Sequence, residues 1–163
     1  MMELKRISKE SIPRALEKAE RYRLLNEPFL AESICLDILS VDDGHTGARM
    51  CLVLAYADRL AHGVTEVENQ AMIEVARLPT EYERCYYAGI LSERRAYAVL
   101  HGGIGSREAA YYNLVRAMQL YEQARASSPE GNEDASLRFN TCVRLIRQHR
   151  LEPSPEPADY PLE

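Results

Sequence analysis

Four histidines, four cysteines and one glutamate set in an apolar stripe are the residues of this chain best equipped for chemistry. His45, His62, His101 and His149 fall in or beside turns and helix ends, and none has a second histidine or a cysteine three or four residues away, the spacing by which one helix face grips a metal. No Glu-x-x-His pair occurs, so the donor set of a di-iron bundle is missing. Cys35, Cys51, Cys85 and Cys142 form no Cys-x-x-Cys pair, and each lies within an apolar stripe, where a thiol behaves as a small buried hydrophobe. No serine or cysteine stands in a recognisable nucleophile setting. We assign no catalytic residue, no metal site and no cofactor from the sequence, and read the chain as a non-enzyme.

Glu93 is the suggestive residue. A carboxylate inside an otherwise apolar helix face must either pair with an arginine on a neighbouring helix or face a groove where it meets a polar or basic ligand. Arg94 and Arg95 follow it directly. The turn His101-Gly102-Gly103-Ile104-Gly105-Ser106 leads into a helix start, and its amides are able in principle to cradle an anion. Without a preceding strand or a phosphate-loop lysine, it reads as the turn of a hairpin.

These residues are positioned by helices. Tyr82, Cys85, Tyr86, Gly89, Ile90, Ala96, Tyr97 and Leu100 repeat at three-and-four spacing and define one helical face. Ala110, Leu114, Ala117, Met118, Tyr121 and Ala124 define a second, so residues 80–129 predict a long antiparallel αα-hairpin. Thr80 and Glu83 form a capping-box pattern at its start. Upstream, helices are expected over Ile12 to Leu25, Phe29 to Leu39 behind Pro28, Thr46 to His62 and Val64 to Leu78. Downstream, Asn132 suits the start of a last helix running to about His149, with Leu137, Cys142, Val143 and Ile146 inward. No run alternates with period two, so the fold class is all-α, with about seven helices.

At 163 residues the chain is long enough to bury one sizeable core. Its net charge of -5 with interspersed signs argues against a nucleic-acid partner. No segment approaches the roughly 18 uninterrupted apolar residues of a membrane span, and no secretory leader is visible, so no membrane partner and a cytoplasmic location are expected. Ten tyrosines stand against two phenylalanines and no tryptophan, which places several hydroxyls at the core rim or on a recognition face. Residues 1–10 read as a charged lead, 11–149 as the helical domain and 150–163 as a proline-rich flexible tail.

Tyr22 and Tyr56 lie 34 residues apart. Ala15, Ala19 and Tyr22, then Ala31, Cys35 and Ile38, then Gly89, Ala117, Tyr121, Ala124 and Pro129 occupy positions that resemble the core and closing residues of the tetratricopeptide repeat, a 34-residue helix-turn-helix unit. Departures are visible: Asp43 stands at the first closing-proline position, Leu78-Pro79 arrives out of register, and Gly89 to Ala117 spans 28 residues where the pattern needs about twelve. The surplus implies a third hairpin projecting beyond its neighbours. As a whole, the resemblance implies an α-solenoid of three helix pairs and a capping helix, whose first helices line a concave groove that holds a peptide or partner helix.

Carried over position by position, the resemblance puts Leu16, Glu20 and Arg23 in that groove from the first unit, and Met50, Leu54 and Asp58 from the second. Glu83, Tyr86, Ile90, Glu93 and Arg94 come from the third, and Asn140 and Arg144 from the cap. The family's lysine-rich carboxylate clamp is absent, since no lysine follows Lys18. Acidic groove positions favour a basic or amphipathic protein or peptide partner. The function expected is that of an interaction module or assembly adaptor. The alternatives are a homodimer formed through Tyr111 and Tyr112 of the hairpin and, less favoured, a helical-bundle enzyme or small-ligand carrier.

Overall fold

A computed structural model describes residues 1–102 and 105–155. After a single 3-10 turn, the chain forms α1 (Ile12–Leu24), α2 (Pro28–Val41), α3 (Thr46–Ala61), α4 (Glu68–Ala76), α5 (Glu81–Leu100), α6 (Arg107–Ala126) and α7 (Asp134–His149). Among the described residues all regular structure is helical, so the chain is all-α.

Local chemistry sets most boundaries. Prolines in the first turns of α1 and α2 cost no helical hydrogen bond there. The capping box at α5 forms in full: the Glu83 amide donates to the Thr80 hydroxyl at 3.1 Å and the Thr80 amide donates to the Glu83 carboxylate at 3.0 Å. His45, read as a turn residue, caps α3 by accepting from the Ala48 amide through Nδ1 at 3.0 Å. Gly63 ends α3 at a φ of 84°, a conformation in which a Cβ is strained. The fourth helix is shorter than its apolar pattern predicts, because residues 64–67 are used up in turns before Glu68.

Each helix packs on the next in the chain, and α1 with α3 and α3 with α5 also pack, so the three make one row. Salt bridges tie neighbours together: Arg59 of α3 to Glu32 of α2, Arg49 of α3 to Glu74 of α4, and Arg95 of α5 to Glu68 of α4. The core runs through the whole stack, with Ile38, Leu52, Leu78, Ile90, Leu91, Leu114 and Tyr121 fully enclosed. Cys35, Cys51 and Cys142 are buried free thiols, and Cys85 is half-buried.

Two expectations about the C-terminal part need correction. The hairpin of α5 and α6 is long, but its tip end is buttressed: the Arg107 guanidinium donates to the His149 carbonyl, the Ser154 hydroxyl donates to Glu108, and Leu151 is buried in the main core. The segment predicted as a free tail thus begins with a docked Leu151 and a Ser154–Glu108 contact, while residues 152–155 are exposed; residues 156–163 lie outside the described residues. Leu137, expected inward, is 63% exposed, because α7 turns Ala135 to the core in its place, while Cys142 is buried as expected.

Gly89 is where the hairpin closes. A Cβ there would sit 2.6 Å from Cε1 and 2.9 Å from Cδ1 of Tyr121, a ring with no room to move. Replacing Gly89 by Ala improves helix propensity by about 1 kcal/mol, yet overpacking of this kind costs about 1–3 kcal/mol, and the clash falls on a rigid buried ring. Gly89→Ala is therefore expected to lower the thermal midpoint by about 2–8 °C, read by circular dichroism melting; an unchanged or higher midpoint contradicts this packing.

Candidate functional site

The row of α1, α3 and α5 leaves two open hollows along one face. At one end, Arg23, Leu24 and Asn26 from the end of α1, Asp58, Ala61 and His62 from α3, and Arg94 and Tyr97 from α5 surround a hollow of 380 Å³. Arg23 Nε donates to Asp58 Oδ2 at 2.9 Å, linking α1 to α3. Arg94 takes part in no ion pair among the described residues; its guanidinium lies 5.9 Å from the Tyr97 ring centroid, and its buried Nε has no partner. This end is a partly desolvated cation beside a neutralised pair.

At the other end, Met50 of α3, Tyr82, Glu83, Tyr86 and Tyr87 of α5, Pro129 and Asn132 of the α6–α7 turn and Asp134 at the start of α7 line a second hollow, also of 380 Å³. Tyr82 stacks on Tyr86 with centroids 5.6 Å apart and planes 11° apart. Asn132 Nδ2 donates to the Tyr82 hydroxyl at 3.0 Å while its Oδ1 accepts from the Asp134 amide, so one side chain both orients a ring and prepares the start of α7. Burial, with smaller contributions from Tyr86 and Glu83, pushes the Tyr87 phenol up to about 12.

Met50, Leu54 and Asp58 stand four residues apart on α3, one helical face. Met50 shares a hollow with Tyr86 and Asp58 shares one with Arg94, each eight residues further along its helix, so α3 and α5 run in the same direction with matched register. The hollows lie about 12 Å apart along the helix axes.

Of the groove residues expected from sequence, Arg23, Asp58 and Arg94 meet in the first hollow and Met50, Glu83 and Tyr86 in the second. Leu54 is half-buried between them. Glu20, Asn140 and Arg144 are exposed and line neither. Ile90 and Glu93 are corrections: at 1% and 5% exposure they are core residues. Glu93 accepts from the Tyr121 hydroxyl at 2.7 Å on one oxygen and from Arg138 Nη1 at 2.9 Å on the other, joining α5 to α6 and α7. Burial and then the Glu93 charge hold the Tyr121 phenol above its ordinary value. Burial by itself would lower the Arg138 guanidinium, but the Glu93 carboxylate, together with Tyr121 and Tyr86, outweighs it and holds the group above its usual range.

Sequence reasoning missed Tyr82, Asn132 and Asp134 as lining residues; it read them as stripe, cap and first-turn charge, and the α6–α7 turn that assembles them leaves no periodic signal. No group of three or more His, Cys, Asp or Glu side chains capable of holding a metal occurs among the described residues. No helix among them is long and apolar enough to cross a membrane. No family model matches the chain, and neither the curated proteins nor the solved structures compared with it yield a similar one.

Removing Arg138 strands a buried carboxylate. Arg138→Met is expected to destabilise the fold by about 3 kcal/mol and to lower the thermal midpoint by about 6–12 °C, and adding Glu93→Leu is expected to recover part of that loss; a double variant as unstable as the sum of its single ones contradicts the pairing. Alkaline pH offers a separate check. The buried Cys142 thiol is pushed up to about 12 from its usual 9.0, and Tyr87 also reaches about 12. Both groups keep their protons in the folded chain after the unfolded chain has released them, so their stabilisation is whole below pH 9 and is lost as the pH rises towards 12. Thermal melts across that window are expected to show a falling midpoint; a level one rejects the assignment.

Proposed function

We propose that the chain is a tetratricopeptide-like protein-interaction module that holds a segment of a partner protein along the shared face of α1, α3 and α5. One observation carries the reading. Arg23, Asp58 and Arg94, 35 and 36 residues apart in sequence, come together from three successive helices of the row in one hollow. A recurring offset close to 34 residues is the signature of stacked helix pairs, which leave one face of the row open. The order of packing, next neighbour and next but one, supports the same arrangement, as does the pairing of a small residue with a large ring at Gly89 and Tyr121. In this reading α7 is the capping helix. Free buried thiols at Cys35, Cys51 and Cys142 fit a reducing compartment, and we place the module in the cytoplasm.

The open face has what a recognition surface needs. Tyrosine, methionine and arginine, the residue types enriched where binding energy concentrates, are half-buried there. Arg49, Arg59 and Arg95 are tied to carboxylates on neighbouring helices, whereas Arg94 takes part in no ion pair among the described residues.

A second reading has its own observation. Tyr112 is 48% exposed on the hairpin with Tyr111 packed edge-on behind it, and Leu24, Leu25 and Phe29 are exposed at the first helix pair, which suits self-association. Light scattering separates the two, because a mass that doubles with concentration and reverts with Tyr112→Glu favours the dimer.

The test of the module itself is affinity purification from native extract with Met50→Glu combined with Arg94→Glu, set against Met72→Glu combined with Ile73→Glu on the exposed side of α4. Partner recovery is expected to fall at least about tenfold for the first pair and to stay level for the second, with circular dichroism unchanged in both. Equal recovery from the two variants rejects the open face as the binding surface.

A further inference from the structure

The two hollows differ in chemistry, and the second is specific enough to name what it takes. We infer that the tyrosine-lined hollow between α3, α5 and the α6–α7 turn is an anchor site for a lysine or arginine side chain of the partner segment. The inference rests on the interaction-module reading above and goes further by fixing the chemistry of the contact.

Size comes first. At 380 Å³ the hollow sits at the lower end of ligand-site volumes, of the order of a single long side chain and its flanking atoms. Its wall is a pre-oriented aromatic surface. Tyr82 lies flat against Tyr86, and Asn132 holds its hydroxyl, so the ring orders no further when something settles on it. The face of such a ring is electron-rich and attracts a cation. Met50 closes the opposite side with an apolar, adaptable surface for the aliphatic stem of a long side chain.

The charges agree. Glu83 and Asp134 both line the hollow, and neither takes part in an ion pair among the described residues. Glu83 gives only Oε2 to the Thr80 amide, so Oε1 keeps its acceptor capacity. Each carboxylate also complements the dipole of the helix it begins, an ordinary role that explains their presence in first turns but not the stacked rings between them. Arg138, whose guanidinium also bears on Tyr86, is committed to Glu93 at 2.9 Å. No lysine follows Lys18 in the sequence, so the repeat that builds the hollow supplies none to fill it. An acidic ligand would meet two like charges, and a purely apolar one would desolvate them without a partner.

The experiment titrates the full ¹⁵N-labelled chain with three small probes: Nα-acetyl-lysine methylamide, Nα-acetyl-arginine methylamide and the uncharged Nα-acetyl-norleucine methylamide. The two cationic probes are expected to shift amide signals within residues 80–87 and 129–134 and to approach saturation at millimolar concentration, with norleucine at least about tenfold weaker. Tyr82→Leu, which removes the ring face, and Asp134→Asn, which removes one charge, are each expected to weaken the cationic probes about threefold to tenfold. Circular dichroism checks that both variants fold, and the surface change Asp134→Asn keeps the test available if Tyr82→Leu does not. Shifts at other residues only, equal binding of lysine and norleucine probes, or full binding by Asp134→Asn overturns the inference. If the probes fail while the Met50/Arg94 variant still loses its partner, the inference falls and the module stands. If partner recovery is level in that variant, the module reading itself has failed.

Discussion

The long hairpin depends on one contact between a backbone and a ring. Gly89 presents no Cβ, so the Tyr121 ring lies directly against α5, and its hydroxyl reaches Glu93 one turn further along. Arg138 completes the set from α7. A carboxylate this deeply enclosed is costly unless every lone pair it turns inward meets a donor, and here both oxygens do. The arrangement orders three helices at once: α6 is held at the distance the ring dictates, and α7 at the distance an arginine spans. Cys142, beside the same carboxylate, fills the remaining space as a small apolar group.

With α5 so anchored, its opposite side faces α3 and the open face. The cations that join neighbouring helices, Arg49, Arg59 and Arg95, each have a carboxylate in reach on the adjacent element. Along the open face the pattern changes. Arg23 and Asp58 neutralise one another, and among the described residues Arg94 has no carboxylate partner and, at the other end, Glu83 and Asp134 have no cation. Charged groups left unpaired in a hollow are available to a partner, and their opposite signs at the two ends would give a bound segment a preferred direction. That is the physical basis on which the module is proposed.

The docked start of the C-terminal segment belongs to the same logic. Leu151 covers apolar surface that a hairpin longer than its neighbours would otherwise expose, and the contacts of Arg107 with His149 and of Ser154 with Glu108 fasten it there. Proline-rich composition predicts an extended chain. It says nothing about whether a single leucine within that chain finds a cleft.

Helix existence, most ends and the hairpin were determined by the sequence alone, because apolar spacing and caps such as Thr80 with Glu83 are local properties of the chain. The pairing of Gly89 with Tyr121 was half visible, as a small residue and a large one at matching positions. Glu93 and Ile90 were not separable from Tyr86 and Arg94 by the same reasoning. A helix packed between neighbours on several sides buries more than one stripe, and a residue's place in the period does not say which stripe faces the core and which the opening. Only tertiary structure decided that, by bringing Tyr121 and Arg138 to Glu93 across 28 and 45 residues of chain. It decided the tyrosine hollow likewise, since Asn132 reaches Tyr82 across 50 residues through a turn whose path no periodicity encodes.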